Sequence, residues 1–301
     1  FFFAMQTELL ARSWEDLVND GMRDAFPRSE FTFMTWNVLA DGLAQDQFRL
    51  RREDVEWDIR MPKFLAEIER VNPDILCLGE ANHLDDFWIP ELSRRGYKGT
   101  HKLKRKSPAV MYGAPPDGSA IFWRSSRFSL ARERLINLKG NQVAVVATLY
   151  DSVTAANVIA VTTHLKAGGS PAEEAIRAEQ IEDLLTVLRG LPATTPVILG
   201  GDLNDNPFGP VRRALLEAPL KFTSAYGLAG PESEPVFTCQ DLPFQGCLDY
   251  IMLQPHLVRM AQRMSLPTPE GIGRRGLPNT RYPSDHLSLA VRLQVLVQPT
   301  V

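Results

Sequence analysis

Polar residues that can do chemistry stand at the ends of apolar runs throughout this sequence. Asn37 follows FTFMTW, Glu80 follows DILCLG, His164 follows VIAVTT, and Asp202 and Asn204 follow VILGG. Asp249 lies within GCLDYIML, and Asp285 and His286 adjoin in YPSDHLSL. Each has an ordinary explanation alone, because Asn and Asp close turns and Glu opens helices. Six such ends in one chain point instead to a shared site. An oxygen-rich set without paired cysteines favours a hard divalent cation, Mg²⁺ or Mn²⁺. Such an ion bridges a phosphate oxygen and offsets the charge that develops during hydrolysis. A histidine backed by a carboxylate keeps one tautomer and handles protons. Asp202 and Asn204, two apart on an extended segment, point to one side and are placed to orient an attacking water. The expectation is a metal-dependent phosphoesterase.

The stretch VILGGDLNDNP also opens like a calcium loop, with oxygen ligands at alternate positions from Asp202 to Asn206. The sixth position of that loop needs Gly and holds Pro207; the twelfth needs a bidentate Glu and holds Arg213. An apolar strand-like run precedes it, not a helix. The calcium reading fails, and Asp205 and Asn206 are read as turn residues leading into Pro207.

These residues need strands to carry them. Short β-branched or aromatic runs bounded by Gly, Pro, Asn or Asp predict strands at 31–38, 74–79, 119–124, 142–150, 157–164, 196–201, 247–253 and 287–297. Met61, Phe64, Leu65 and Ile68 repeat at helical spacing and predict a helix over 57–70. A second helix is predicted from Ser170, with Pro171 first, Glu173 as capping-box partner and Gly190 as its stop. Several strands are joined by connections too short for a helical crossover. That favours an α/β (α+β) fold, a four-layer sandwich of two packed, mostly antiparallel sheets flanked by helices. The expected organisation is an N-terminal extension over 1–30 and a single domain over 31–301, with 102–118 as a long mobile surface loop.

Composition suits a soluble globular protein with a full core. The 301 residues are 44% hydrophobic and 23% charged, with a formal net charge of −3. That balance argues against a broad basic face for duplex nucleic acid. Cys77, Cys239 and Cys247 form no C-x-x-C pair and suggest neither a disulfide framework nor structural zinc. No apolar run is long enough to cross a membrane. The expected compartment is the cytoplasm, with upstream targeting, mitochondrial or other, left open by a chain that does not begin with Met.

The motifs TWNVLAD, DILCLGE, PDGSAIF, NQVAVVATL, THLKA, GGDLNDNP, LDYI and YPSDHLSL occur in the order of the endonuclease/exonuclease/phosphatase superfamily. The chain resembles that superfamily over residues 31–296, and within it the branch of nocturnin and the carbon-catabolite-repressor-type deadenylases. The resemblance implies the fold of deoxyribonuclease I. It also implies Glu80 as the main metal ligand with Asn37 beside it and Asp285 near the metal. Asp202 and Asn204 would position the water, His164 would stabilise the phosphorus transition state, and Asp249 would orient His286. Phe244, in FTCQDLPFQGCLDYI, aligns with a phenylalanine that stacks on adenine in the deadenylases. Two departures stand out. LGEAN replaces the usual L-Q-E-V-D, and Gly168 stands where nocturnin carries an arginine that holds a phosphate of NADP(H).

The substrate-binding candidates are therefore Lys104, Lys166 and Phe244. The expected reaction is Mg²⁺-dependent release of AMP from single-stranded poly(A) RNA by a 3′-to-5′ exoribonuclease. The alternative is a nocturnin-like NADP(H) 2′-phosphatase, which the loss of a guanidinium at Gly168 disfavours. A more remote alternative is a weakened member serving as a binding or scaffold subunit; protein partners are unknown at this level.

Overall fold

The computed structural model of the chain describes residues 8–17, 29–44 and 51–296. Among the described residues thirteen strands build two sheets. The first runs β1(Trp14–Asp16), β12(Val258–Met264), β13(Leu289–Val295), β2(Glu30–Asn37), β3(Ile75–Ala81), β5(Gly118–Arg124) and β4(Tyr97–Leu103). The second runs β10(Thr223–Ser224), β11(Asp249–Leu253), β9(Val197–Asp202), β8(Ala156–His164), β7(Val143–Asp151) and β6(Phe128–Asn137). Each sheet holds one parallel pair, β2 with β3 and β8 with β9; every other pair is antiparallel. Two helices flank the pair of sheets, α1(Trp57–Val71) and α2(Pro171–Arg189), and a shorter one, α3(Pro210–Glu217), lies beside α2. The capping box at Ser170 and Glu173 forms as its sequence requires.

Three apolar layers separate the four structural ones. Phe64 and Ile68 of α1 meet Met34, Trp36, Leu76 and Leu78 on one side of the first sheet. Phe31, Phe33, Cys77 and Ile121 meet Val145, Ala147, Ala160 and Ile198 between the sheets. Ile181, Leu184 and Leu188 of α2 cover Val161, Val197 and Leu199 on the far side of the second sheet. Within β2 the division follows the period of two, with Phe31 and Phe33 inward and Met34 and Trp36 outward.

Several elements differ from the sequence expectation. β4, β6 and β12 carry too much charge to read as buried runs. β4 and β6 end their sheets, where Lys98, Lys102, Arg132 and Arg134 discourage further pairing. The connection over 102–118 is organised: β4 runs to Leu103, a 3₁₀ turn spans Pro108–Tyr112, and β5 begins at Gly118. The last strand ends at Val295, and Val297 of the predicted run lies outside the described residues. Within the expected N-terminal extension, Trp14–Asp16 pairs with β12 and Leu10 joins the core beneath α1. Arg12 forms a fully buried ion pair with Glu67 of α1 at 2.8 Å.

Candidate active site

Strand register brings the polar ends together. Asp202 closes β9 opposite His164 on β8 and opposite Asp249 on β11. In the other sheet Asn37 closes β2 beside Gly79 of β3. Asn37, His164, Asp202 and Asp249 continue the inward-facing rows that begin with Phe31, Val158, Ile198 and Ile251, so all four project between the sheets. At Gly200 a Cβ would lie 2.8 Å from both Phe33 and Thr35, so glycine is what lets the sheets close to this distance near the site.

Glu80 does not follow from alternation. Leu76 and Leu78 point toward α1, and an unbroken strand would send Glu80 the same way. The register shifts between Leu78 and Ala81, and Glu80 adopts a left-handed backbone with φ of 53°. The bulge turns its carboxylate into the site, and such a conformation at a residue other than glycine is a strain the surroundings must hold. Asn37 Nδ2 donates to Glu80 Oε1 and to Asp202 Oδ2, both at 3.0 Å, and Ala40 N donates to Glu80 Oε2 at 3.1 Å. Burial pushes the Glu80 carboxyl up, but the nearby charges of His164 and Lys104 and the Asn37 hydrogen bond prevail, bringing it down to about 2.

Both histidines approach the same oxygen of Asp202. His164 Nε2 lies 3.6 Å and His286 Nε2 3.7 Å from Asp202 Oδ2, while His164 Nδ1 is 3.6 Å from Glu80 Oε1. His286 Nδ1 pairs with Asp249 Oδ2 at 2.8 Å, and Thr238 Oγ1 donates to the same oxygen at 2.7 Å. This pairing puts the proton on Nδ1 and leaves Nε2 facing the site. Burial works against the charged imidazole, yet the facing carboxylate of Asp249, with Asp202 and Asp285, raises His286 well above its ordinary value. Asp285 is pushed up to about 6, first by burial. Asn204 N donates to Asp202 Oδ1 at 2.9 Å and Asn204 Nδ2 to Leu165 O at 3.1 Å, so Asn204 holds both Asp202 and the loop after His164.

Asp205 and Asn206 are turn residues. Asp205 Oδ2 accepts from Arg212 N at 3.0 Å at the start of α3, and Asn206 Oδ1 accepts from Phe208 N at 2.9 Å. Phe244 is 48% exposed and lines a cleft of about 740 Å³ together with Glu80, His164, Asp202, Asn204 and His286. The lysines are placed differently from the sequence expectation. Lys104 is buried against Asp117, with Nζ to Oδ2 at 2.5 Å, and acts on Glu80 only through its charge. Lys166 Nζ lies 3.6 Å from Glu173 Oε1, and neither lysine lines the cleft. Sequence reasoning missed Cys239 and Arg177, which do line it. Arg177 had a signal, as a charged residue at a position of α2 that turns inward with Ile181 and Leu184.

Four buried carboxylates, Glu80, Asp202, Asp249 and Asp285, gather here around two histidines and an amide. Asp202, Asp249 and His286 each offer a ligand atom within 4.8 Å of the others, as do Cys239, Asp285 and His286. Such a concentration of negative charge away from water calls for a cation. The carboxylate oxygens and imidazoles of these groups suit a hard divalent ion.

Residues 34–286 match the model of the Endonuclease/Exonuclease/phosphatase family. The chain is 38% identical to nocturnin of Xenopus laevis over 281 residues, 87% of this chain and 72% of that protein. It is 38% identical to nocturnin of Homo sapiens over 274 residues, 85% of this chain but 63% of that protein, so it spans less than two thirds of the human relative. The solved catalytic domain of human nocturnin with bound sulfate anion superposes with a TM-score of 0.78 at 32% identity, covering 94% of this chain and 97% of that one. ANGEL2, a 2′,3′-cyclic phosphatase in complex with adenosine-2′,3′-vanadate, shares the fold with a TM-score of 0.78 at 20% identity, covering 96% and 100%.

Proposed function

The chain belongs to the endonuclease/exonuclease/phosphatase family, as a relative of nocturnin, and from that premise we propose that it is a divalent-metal-dependent hydrolase of adenine-containing phosphoesters. One observation carries the reading: Asn37, Glu80, His164, Asp202 and the Asp249–His286 pair converge at one end of the two sheets. Mg²⁺ at Glu80, with Asn37 and Asp285, would supply charge neutralisation at a phosphate oxygen. Asp202 is poised to orient the attacking water and accept its proton, since Asn37 and Asn204 fix both of its oxygens. His286, held by Asp249, presents Nε2 to the reacting phosphate, and His164 faces the same space from the neighbouring strand. The sulfate in the human nocturnin structure is a tetrahedral anion of the kind this cleft would receive.

Phe244 supports adenine as the base, because a half-exposed aromatic ring at a cleft wall offers a stacking face. Poly(A) is the preferred substrate, with AMP as product. At Gly168 the backbone has φ of 114° and an added Cβ would lie 2.1 Å from the Glu173 carboxyl carbon, so that position presents no side chain to a 2′-phosphate. Purified protein with Mg²⁺, assayed side by side on oligo(A), NADP⁺ and NADPH, should release AMP from oligo(A) in preference to phosphate from the dinucleotides. Phosphate release from NADP⁺ or NADPH alone would reverse that order.

A further inference from the structure

Arg177 is 5% exposed and lies on the inward face of α2, where it lines the same cleft as His164, Asp202 and Phe244. Its Nη1 donates to the carbonyls of Lys166 at 2.9 Å and Gly168 at 2.6 Å. Its Nε is buried with no acceptor. Among the described residues the guanidinium forms no direct ion pair, although its charge acts on the Asp205 carboxyl, which lines the same cleft with Glu174. Arg12 and Arg212, equally withdrawn from water, are paired with Glu67 and Glu234. Arg60 also lacks a carboxylate partner, but it sits outside the cleft wall, donates to the carbonyls of Pro283, Val38 and Leu39, and is brought down to about 10 by burial.

A buried cation with no carboxylate in direct contact gains from an anion that can pair with it. Arg177 is the one lysine or arginine lining the cleft among the described residues, against Glu80, Glu174, Asp202, Asp205, Asp241 and Asp285. With Nη1 committed to the loop and Nε buried, Nη2 is the guanidinium nitrogen left to donate a charge-assisted hydrogen bond to an anion in the cleft. We propose that Arg177 binds a second, non-scissile phosphate, so that the cleft selects substrates carrying at least two phosphate groups. This deepens the hydrolase reading above and rests on it for the identity of the scissile group.

The test uses the full chain and its Arg177→Gln and Arg177→Lys variants. Binding of the 5′-phosphorylated diadenylate pApA, and of ApA, is measured by calorimetry with Ca²⁺ in place of Mg²⁺. Turnover of bis(p-nitrophenyl) phosphate, a diester with a single phosphate, is measured with Mg²⁺. Loss of a charge-assisted pair should weaken pApA binding by about tenfold or more in Arg177→Gln. Arg177→Lys should fall between, and binding of ApA, which lacks the 5′-phosphate, should weaken less than binding of pApA in both variants. Unchanged pApA binding would overturn the proposal. So would an equal weakening of ApA and pApA binding in Arg177→Gln, because that is what a purely loop-supporting arginine would give. If the wild-type chain hydrolysed neither pApA nor bis(p-nitrophenyl) phosphate yet bound pApA in an Arg177-dependent way, the hydrolase reading would fail while the phosphate site stood.

Discussion

Replacing Asp249 with Asn tests how the site prepares its histidine. The carboxylate takes hydrogen bonds from His286 Nδ1 at 2.8 Å and Thr238 Oγ1 at 2.7 Å, with its second oxygen buried and unpartnered. Asparagine keeps the shape but removes the charge, and its amide group can present a donor where Nδ1–H now donates. A charge-assisted hydrogen bond of this kind is worth about 1.5–3 kcal/mol. At about 1.4 kcal/mol per pH unit, the histidine should lose roughly one to two units of its upward shift. The sign for stability follows from the raised folded-state value. His286 contributes fully below its unfolded value near 6.5 and loses that contribution as pH rises through the folded value. The melting-temperature deficit of Asp249→Asn should therefore be largest in mild acid and shrink on the alkaline side. The assay is a proton NMR titration of the His286 ring in metal-free protein, run beside thermal melts. Turnover should fall by about a hundredfold or more, the scale of lost acid–base catalysis. A His286 titration unmoved in Asp249→Asn would refute the assignment of Asp249 as the source of the shift.

Two further substitutions separate substrate recognition from folding. Phe244→Ala should raise KM for oligo(A) by about tenfold or more, the weight of one stacked base, and leave the melting temperature nearly unchanged because the ring is half exposed. A KM within twofold of wild type in a steady-state assay would remove Phe244 from the base site. Arg12→Met should destabilise by about 1.5–3 kcal/mol, since it removes a buried charge-assisted bond while Arg70 still pairs with Glu67. A denaturant midpoint equal to wild type would mean that the N-terminal arm contributes nothing to the fold.

Much of the architecture was legible because buried strands announce themselves through composition. The runs ending at Asn37, His164 and Asp202 are apolar and β-branched, and their period of two carries through to the polar end. The capping box at Ser170 read equally well. What escaped was governed by position in the sheet or by tertiary contact. β4 and β6 look polar because they are edge strands, and their charges are part of how an edge is protected. Glu80 was identified as a site residue, but no pattern in LGEAN reveals the bulge and left-handed turn that aim it inward. Lys104 was read as reaching substrate, whereas its partner Asp117, thirteen positions on, could be known only from the folded chain. Arg177 shares the inward stripe of α2 with Ile181 and Leu184, but that the stripe's first turn borders the cleft follows only from the folded chain.

The proposed phosphoester hydrolysis depends on a cation held at Glu80. The most direct measurement pairs Mn²⁺ calorimetry with turnover of oligo(A) for the wild-type chain and Glu80→Gln. The wild type should bind the ion and release AMP, and the variant should lose both by about a hundredfold or more while melting as a folded protein. Hydrolysis that persists unchanged in Glu80→Gln would contradict the account and place the chemistry elsewhere.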